Sequence, residues 1–170
     1  KLWEIGFKMD LTYNVGNDAR EFGAKLLAES VAKVNPKFQI SVRGVEWAEY
    51  VNLTRTGMIP MFFIGWAPDY PDPDNYANPF MHSAGHYAHS CSYANAEVDK
   101  LIEEAAVSLD PKVREAAYYR VQEIYLEDAP GIMNSQSIRN YYMKNWVKGY
   151  VYNPMDSHEY DRLPEVRKEL

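Results

Sequence analysis

The chain has 170 residues, 46% of them hydrophobic, enough to bury the core of one domain or of one domain with an extension. Its formal net charge is −6 and neither sign runs in long blocks, so no basic stripe exists to displace counterions from phosphates, and nucleic acid is not an expected partner. A single cysteine, Cys91, excludes an internal disulfide, and no apolar stretch is long enough to span a bilayer as a helix. Residues 1 to 10 lack the basic-then-apolar order of a signal peptide. Trp3, Ile5, Phe7, Met9 and Leu11 alternate with other residues, which reads as a strand already under way and therefore as a piece of a longer protein.

Residues 5 to 13 form the first predicted strand, with a turn at Asn14-Val15-Gly16-Asn17. Asn17 or Asp18 caps a helix over 18–34, with Phe22, Leu26, Leu27, Val31 and Val34 on one face and Pro36 just beyond its end. Phe38, Ile40 and Val42 then alternate with polar residues in a second strand, completing a β-α-β unit whose strands should be parallel. A short helix over 47–55 and a third strand over 58–64 follow, with Pro60 limiting the ladder at the strand's start. All three strands should share one sheet. Residues 81–93 have no clear period and read as an irregular excursion. Asn95 caps a helix to about Leu109 with Val98, Leu101, Ile102 and Ala105 inward, and Asp110-Pro111 starts another, to about Glu127, that should pack on it as a hairpin. Tyr118 and Tyr125 fall on one face of that second helix, where packing explains them. Beyond Ala129-Pro130-Gly131, residues 132–144 suggest one or two strands, and 150–170 a tyrosine-containing tail with a final helical turn.

The stretch Ile64-Gly65-Trp66-Ala67-Pro68-Asp69-Tyr70-Pro71-Asp72-Pro73-Asp74-Asn75-Tyr76 carries most of the chemistry. Pro68, Pro71 and Pro73 remove three backbone donors and restrict the residues before them, so it should be a stiff loop, neither helix nor central strand. A stiff polar loop leaving a buried strand is where α/β proteins place ligand contacts. Composition leaves an ordinary surface turn open as well, since Asp, Asn and Pro all favour turns. Asp69, Asp72 and Asp74 lack the alternate ligand spacing and central Gly of a calcium loop. Nor does one polar loop look like the apolar pocket that a catalytic carboxylate needs, and no nucleophile elbow or phosphate loop is present. A buried carboxylate flanked by Trp66 and Tyr70 better fits binding an ammonium group or sugar hydroxyls. His82, His86, His89 and Cys91 cluster in sequence, but at spacings that match no zinc pattern, so no metal or other cofactor is expected.

Taken in order, strand, helix, strand, Trp-containing helix, strand, Gly65-Trp66-x-x-Asp69-Tyr70-x-Asp72-Pro73 and Tyr93-x-Asn95-x-Glu97-Val98-Asp99-x-Leu101-Ile102 resemble the family 5 extracellular solute-binding proteins, over about residues 5 to 150. These are the peptide, nickel and oligosaccharide receptors of ABC importers. The resemblance implies a βαβ-containing α/β lobe of a periplasmic-binding-protein-like (type II) fold, with a mixed sheet and flanking helices, over residues 1–131. Residues 132–170 would form a segment returning towards an N-terminal lobe that this chain lacks. It implies a non-enzymatic, extracytoplasmic receptor, periplasmic or a cell-surface lipoprotein, that works with a membrane permease and closes over an oligopeptide. The ligand-binding residues it implies are Asp69, for the peptide's α-amino group, Trp66 and Ala67 as pocket wall and backbone, and the neighbouring Tyr70. Pro68 departs from an ideal loop by removing an amide donor, and the 82–89 segment is richer in histidine than the resemblance leads one to expect. An oligosaccharide receptor, using Trp66, Tyr70, Tyr76 and Tyr87 as stacking faces, is the alternative within the family; a small carboxylate-dependent hydrolase is the alternative outside it.

Overall fold

The computed structural model describes residues 1–136, 138, 140 and 142–150, and the backbone of 167–168. The elements run α1 (Leu2–Ile5), β1 (Phe7–Asn14), α2 (Asp18–Val34), β2 (Phe38–Val45), α3 (Trp47–Arg55), β3 (Met61–Phe62), α4 (Asp74–Met81), α5 (His86–Ser90), α6 (Ala96–Val107), α7 (Pro111–Asp128), β4 (Val147–Lys148) and β5 (Arg167–Lys168). The predicted β-α-β unit is present: β1 pairs in parallel with β2 from Phe7 opposite Phe38 to Asn14 opposite Val45, with α2 between them in the chain. β3 pairs in parallel along the other edge of β1, giving the order β2-β1-β3, so all three predicted strands share one sheet. Among the described residues, antiparallel pairing is confined to β4 and β5.

Several element predictions need correction. The alternation at the start is not a strand, since Leu2–Ile5 closes a single helical turn that ends at Gly6, and β1 begins only at Phe7. The third strand shrinks from the predicted 58–64 to Met61–Phe62, extended by the Phe63 amide donating to the Thr12 carbonyl at 2.9 Å. Pro60 has no N–H to give a ladder, which holds the pairing to residues after it. The 81–93 excursion is more ordered than its lack of period implied, because α4 reaches Met81 and α5 forms a further turn and a half. Of the strands expected over 132–144, none is found among the described residues, and most of 150–170 lies outside them.

Asn17 caps α2 by accepting from the Arg20 amide at 3.0 Å, as its position before the periodic run suggests. The buried stripe of that helix is not the predicted one. Ala24 is buried and Gly23, Leu27, Ala28 and Val31 are half-buried, while Phe22, Leu26 and Val34 face outward. Small residues on the sheet side let the helix approach closely; the ring of Phe63 lies where a side chain on Gly23 would be, 2.8 Å from a Cβ built there.

The core falls into two clusters. Val45, Tyr50 and Ile59 pack under the sheet with Leu53, Phe62 and Ile64. Ala77 and Met81 of α4 join Val98, Ile102 and Ala105 of α6 and Ala117, Tyr118, Val121, Ile124 and Tyr125 of α7 in the other. The helical hairpin is thus formed, on the inward faces the periodicity marked. Asn95 accepts from the amides of Glu97 and Val98 at 3.0 and 3.4 Å, and Asp110 from that of Lys112 at 2.9 Å, so both caps are as expected. Asn95 Nδ2 and the Tyr93 hydroxyl also donate to Asp128 at 2.8 Å each, tying the start of α6 to the end of α7 and holding the Asp128 carboxyl below its ordinary value.

Candidate functional site

The chain leaves β3 at the carboxyl end of the sheet, where connections from β1 and β2 have gone to opposite sides, and this is the place where parallel sheets open a crevice. The stem of the loop is held from three elements. The Tyr50 hydroxyl of α3 donates to the Phe63 carbonyl at 3.0 Å, Phe63 lies on Gly23 of α2, and Arg20 of α2 donates to Asn14 at the end of β1 at 2.6 Å while lying against Gly65. Burial raises the Tyr50 hydroxyl far above its ordinary value, so this donor stays protonated.

The loop then runs to α4, which begins inside the stretch expected to be non-helical. Asp74, Asn75 and Tyr76 form its first turn, following Pro73. A proline fixes backbone geometry compatible with a helix start and removes no needed donor there, so the prolines steer the chain into the helix. Asp72 accepts from the Asp74 amide at 2.9 Å, the local side-chain bond expected of it.

Trp66 and Asp69 are brought together by a residue the sequence reading did not single out. Asn75 Oδ1 accepts from Trp66 Nε1 and from the Asp69 amide, each at 3.0 Å. Asn75 is only 6% exposed, and its backbone is fixed by α4, whose Ala77 and Met81 enter the core. No local signal marks it, because Asn is ordinary both in a loop and in the first turn of a helix. The Trp66 ring stands edge-to-face on Phe80 and on Tyr87, at 5.8 and 5.9 Å, and Phe80 stacks on Tyr87 at 4.6 Å. Tyr87 in turn touches Phe62 of β3, so the aromatic cluster joins the sheet to the helical part.

The three carboxylates of the loop have different surroundings. Asp72 pairs with Arg114 of α7 at 2.5 Å, and the same guanidinium donates to the Ala105 carbonyl at 2.5 Å and lies 5.5 Å over the Tyr118 ring. Asp74 accepts from the Tyr70 hydroxyl at 3.1 Å. Burial, followed by the charge of Asp74, pushes the Tyr118 hydroxyl up to about 12. The Asp69 carboxylate makes no hydrogen bond or ion pair among the described residues and is exposed. It is thus not the buried carboxylate pictured from the sequence. Ala67 is exposed beside it, while Tyr70, 46% exposed, is drawn towards Asp74.

The pairing of Asp72 gives a stability prediction. Replacing Arg114 with Met should cost about 1 to 2 kcal/mol in urea unfolding, between the cost of an exposed pair and that of a fully buried one, because both partners are partly shielded from water. Arg114→Lys should recover only part of this, since a point charge cannot donate to Asp72 and the Ala105 carbonyl in the same fork geometry.

Among the described residues, His82 and His86 have separate partners. His82 accepts from the Ala84 amide at 3.1 Å and lies 3.3 Å from Glu103, and the His86 ring stands edge-on to Tyr87 at 4.6 Å. Burial first, and the charge of Arg55 next, hold the His86 imidazole below its ordinary value. Among the described residues no three His, Cys, Asp or Glu groups come together as a metal site.

The chain is 27% identical over 139 residues to the di/tripeptide-binding protein 4 of Pseudomonas aeruginosa, covering 81% of this chain and 26% of that protein. It is 27% identical over 157 residues to the periplasmic oligopeptide-binding protein OppA of Haemophilus influenzae, covering 91% and 28%. Among solved structures, Haemophilus influenzae OppA in complex with RPPGFSPFR superposes with a TM-score of 0.72 at 25% identity, over 95% of this chain and 31% of that one. The periplasmic binding protein DppA of Helicobacter pylori in complex with the peptide STSA does so with a TM-score of 0.70 at 26% identity, over 98% and 32%. The chain therefore spans about a quarter to a third of the length of these relatives. The family model for the bacterial extracellular solute-binding proteins, family 5, matches residues 2–88, half of the 170-residue sequence, and this chain belongs to that family.

Proposed function

We propose that this chain is part of an extracytoplasmic receptor that binds peptides for an ABC importer and catalyses no reaction, with Asp69 receiving the peptide's α-ammonium group. The observation that carries this reading is the contrast among three neighbouring carboxylates: Asp72 is ion-paired with Arg114, and Asp74 accepts from Tyr70 with its other oxygen buried, whereas Asp69 is presented exposed and unpaired from a braced loop. An ammonium group entering a closing cleft loses water and needs such a counter-charge. Trp66 and Ala67 form wall and backbone beside it, and Tyr70 lies at the rim. The names of the relatives, which are peptide-binding proteins, support the ligand class and the location. In this reading residues 1–131 are the ligand-binding lobe, 132–170 return towards another lobe of the full-length protein, and a membrane permease takes the ligand onward.

Calorimetric titration of the full-length protein with trialanine and with N-acetyl-trialanine tests the proposal. Acetylation replaces the ammonium group with a neutral amide bearing an acetyl group, so affinity should fall at least tenfold, and the des-amino analogue, which loses the charge without added bulk, should fall likewise. Equal affinity for the two peptides, or no binding of either, rejects the assignment.

A further inference from the structure

Resting on the peptide-receptor reading, we infer that Asn75 is the positioning residue that sets Trp66 and Asp69 in ligand-ready geometry before any ligand arrives. A carbonyl oxygen has two lone pairs, and those of Asn75 Oδ1 are taken by the two donors that matter most for the site. The bond to Trp66 Nε1 fixes the rotation of the indole about its own side chain. The bond to the Asp69 amide fixes the backbone from which the unpaired carboxylate projects. Each donor reaches Asn75 across a turn of chain, nine and six residues away, so neither bond is a by-product of helix geometry.

Asn75 itself cannot drift. It is buried in the first turn of α4, and Ala77 and Met81 of the same helix lie in the core cluster with α6 and α7. The route from core to ligand contacts is therefore short and rigid: helix hairpin, α4, one amide oxygen, two ligand-facing residues. Preorganisation of this kind keeps the ordering cost of the loop out of the binding step. A residue of the same size without the acceptor, such as Leu, would keep the helix and leave both N–H groups unpartnered.

The test compares Asn75→Leu with Asn75→Asp in the full-length protein without ligand, reading the Trp66 indole N–H resonance, assigned by Trp66→Phe, and hydrogen exchange of the Asp69 amide. Asn75→Leu should shift the indole resonance, speed exchange of the Asp69 amide at least tenfold, and weaken trialanine binding at least tenfold. Asn75→Asp keeps the acceptor oxygen and should retain both spectroscopic signatures, which rescue of bulk stability alone would not produce. If Asn75→Leu does not fold, Asn75→Ser, whose hydroxyl is too short to reach both donors, is read in the same way. Unchanged resonance and exchange in the variant lacking the acceptor overturn the inference. If those signatures change as expected but wild-type protein ignores trialanine, the positioning role stands and the peptide-receptor reading falls.

Discussion

Asp69→Asn in the full-length protein should weaken trialanine binding by roughly 2 to 5 kcal/mol, the range found when one partner of a desolvated charge pair is removed. The substitution nearly preserves shape, and the backbone amide of residue 69 can still donate to Asn75, so the loop should keep its place. What disappears is the charge of the loop's exposed carboxylate, which has no partner among the described residues. Asp72→Asn should act differently, lowering stability through the lost charge pair with Arg114, and Asp74→Asn, which keeps an acceptor for the Tyr70 hydroxyl, should be milder; both should affect affinity clearly less. The same variants separate ligand classes. A sugar-binding site would tolerate Asp69→Asn, which keeps hydrogen-bonding capacity, and would suffer most from Trp66→Ala through lost stacking. Wild-type affinity for trialanine in Asp69→Asn would sink the role given to this residue.

Gly85→Ala should destabilise the fold by about 3 kcal/mol or more, a value at the upper end of overpacking costs. A Cβ at Gly85 would lie 2.0 Å from the Asn78 carbonyl oxygen and 2.9 Å from that of His82, both backbone atoms that cannot swing aside. Its φ of −68° is open to any residue, so the penalty is steric, not conformational. To admit the methyl group, α5 has to part from the end of α4, and Tyr87 then leaves Phe80 and the edge of Trp66. Urea unfolding should therefore show a large loss of stability together with weakened ligand binding. Gly16→Ala is the contrast: φ there is +81° but no atom lies within 4 Å of an added Cβ, so only backbone strain of about 1 kcal/mol applies. Equal midpoints for the two variants would contradict this account.

Some of this architecture could be read from local rules. The helix at 18–34 begins where its capping residue Asn17 places it, because that signal is satisfied by an amide three residues on, and the helix at 47–55 forms over the predicted span without a side-chain cap. The hairpin of α6 and α7 was legible for the same reason, with Asn95 and Asp110-Pro111 setting both starts and a 3.6-residue period marking Val98, Ile102 and Ala105. Parallel pairing of β1 with β2 followed from the intervening helix. The Trp66 to Asp69 loop is marked as a candidate site by its prolines, its aromatic rings and its position after a strand, together with the family pattern.

Long-range packing decided the rest. Which stripe of α2 turns inward depends on how near the sheet it can approach, and Gly23, Ala24 and Ala28 outcompete the larger Phe22 and Leu26 for that side. The extent of β3 depends on a partner strand as well as on its own apolar run. Most of all, the role of Asp72 is set by an atom remote in the chain. Arg114 lies 42 residues from Asp72, and no local pattern links them. Asn75 likewise gains its meaning only when α4 is docked by Ala77 and Met81, which brings one amide oxygen within 3.0 Å of both Trp66 Nε1 and the Asp69 amide. Residue type and spacing carry short-range preferences, whereas a hydrogen bond is decided within tenths of an ångström, a precision that only the assembled core imposes.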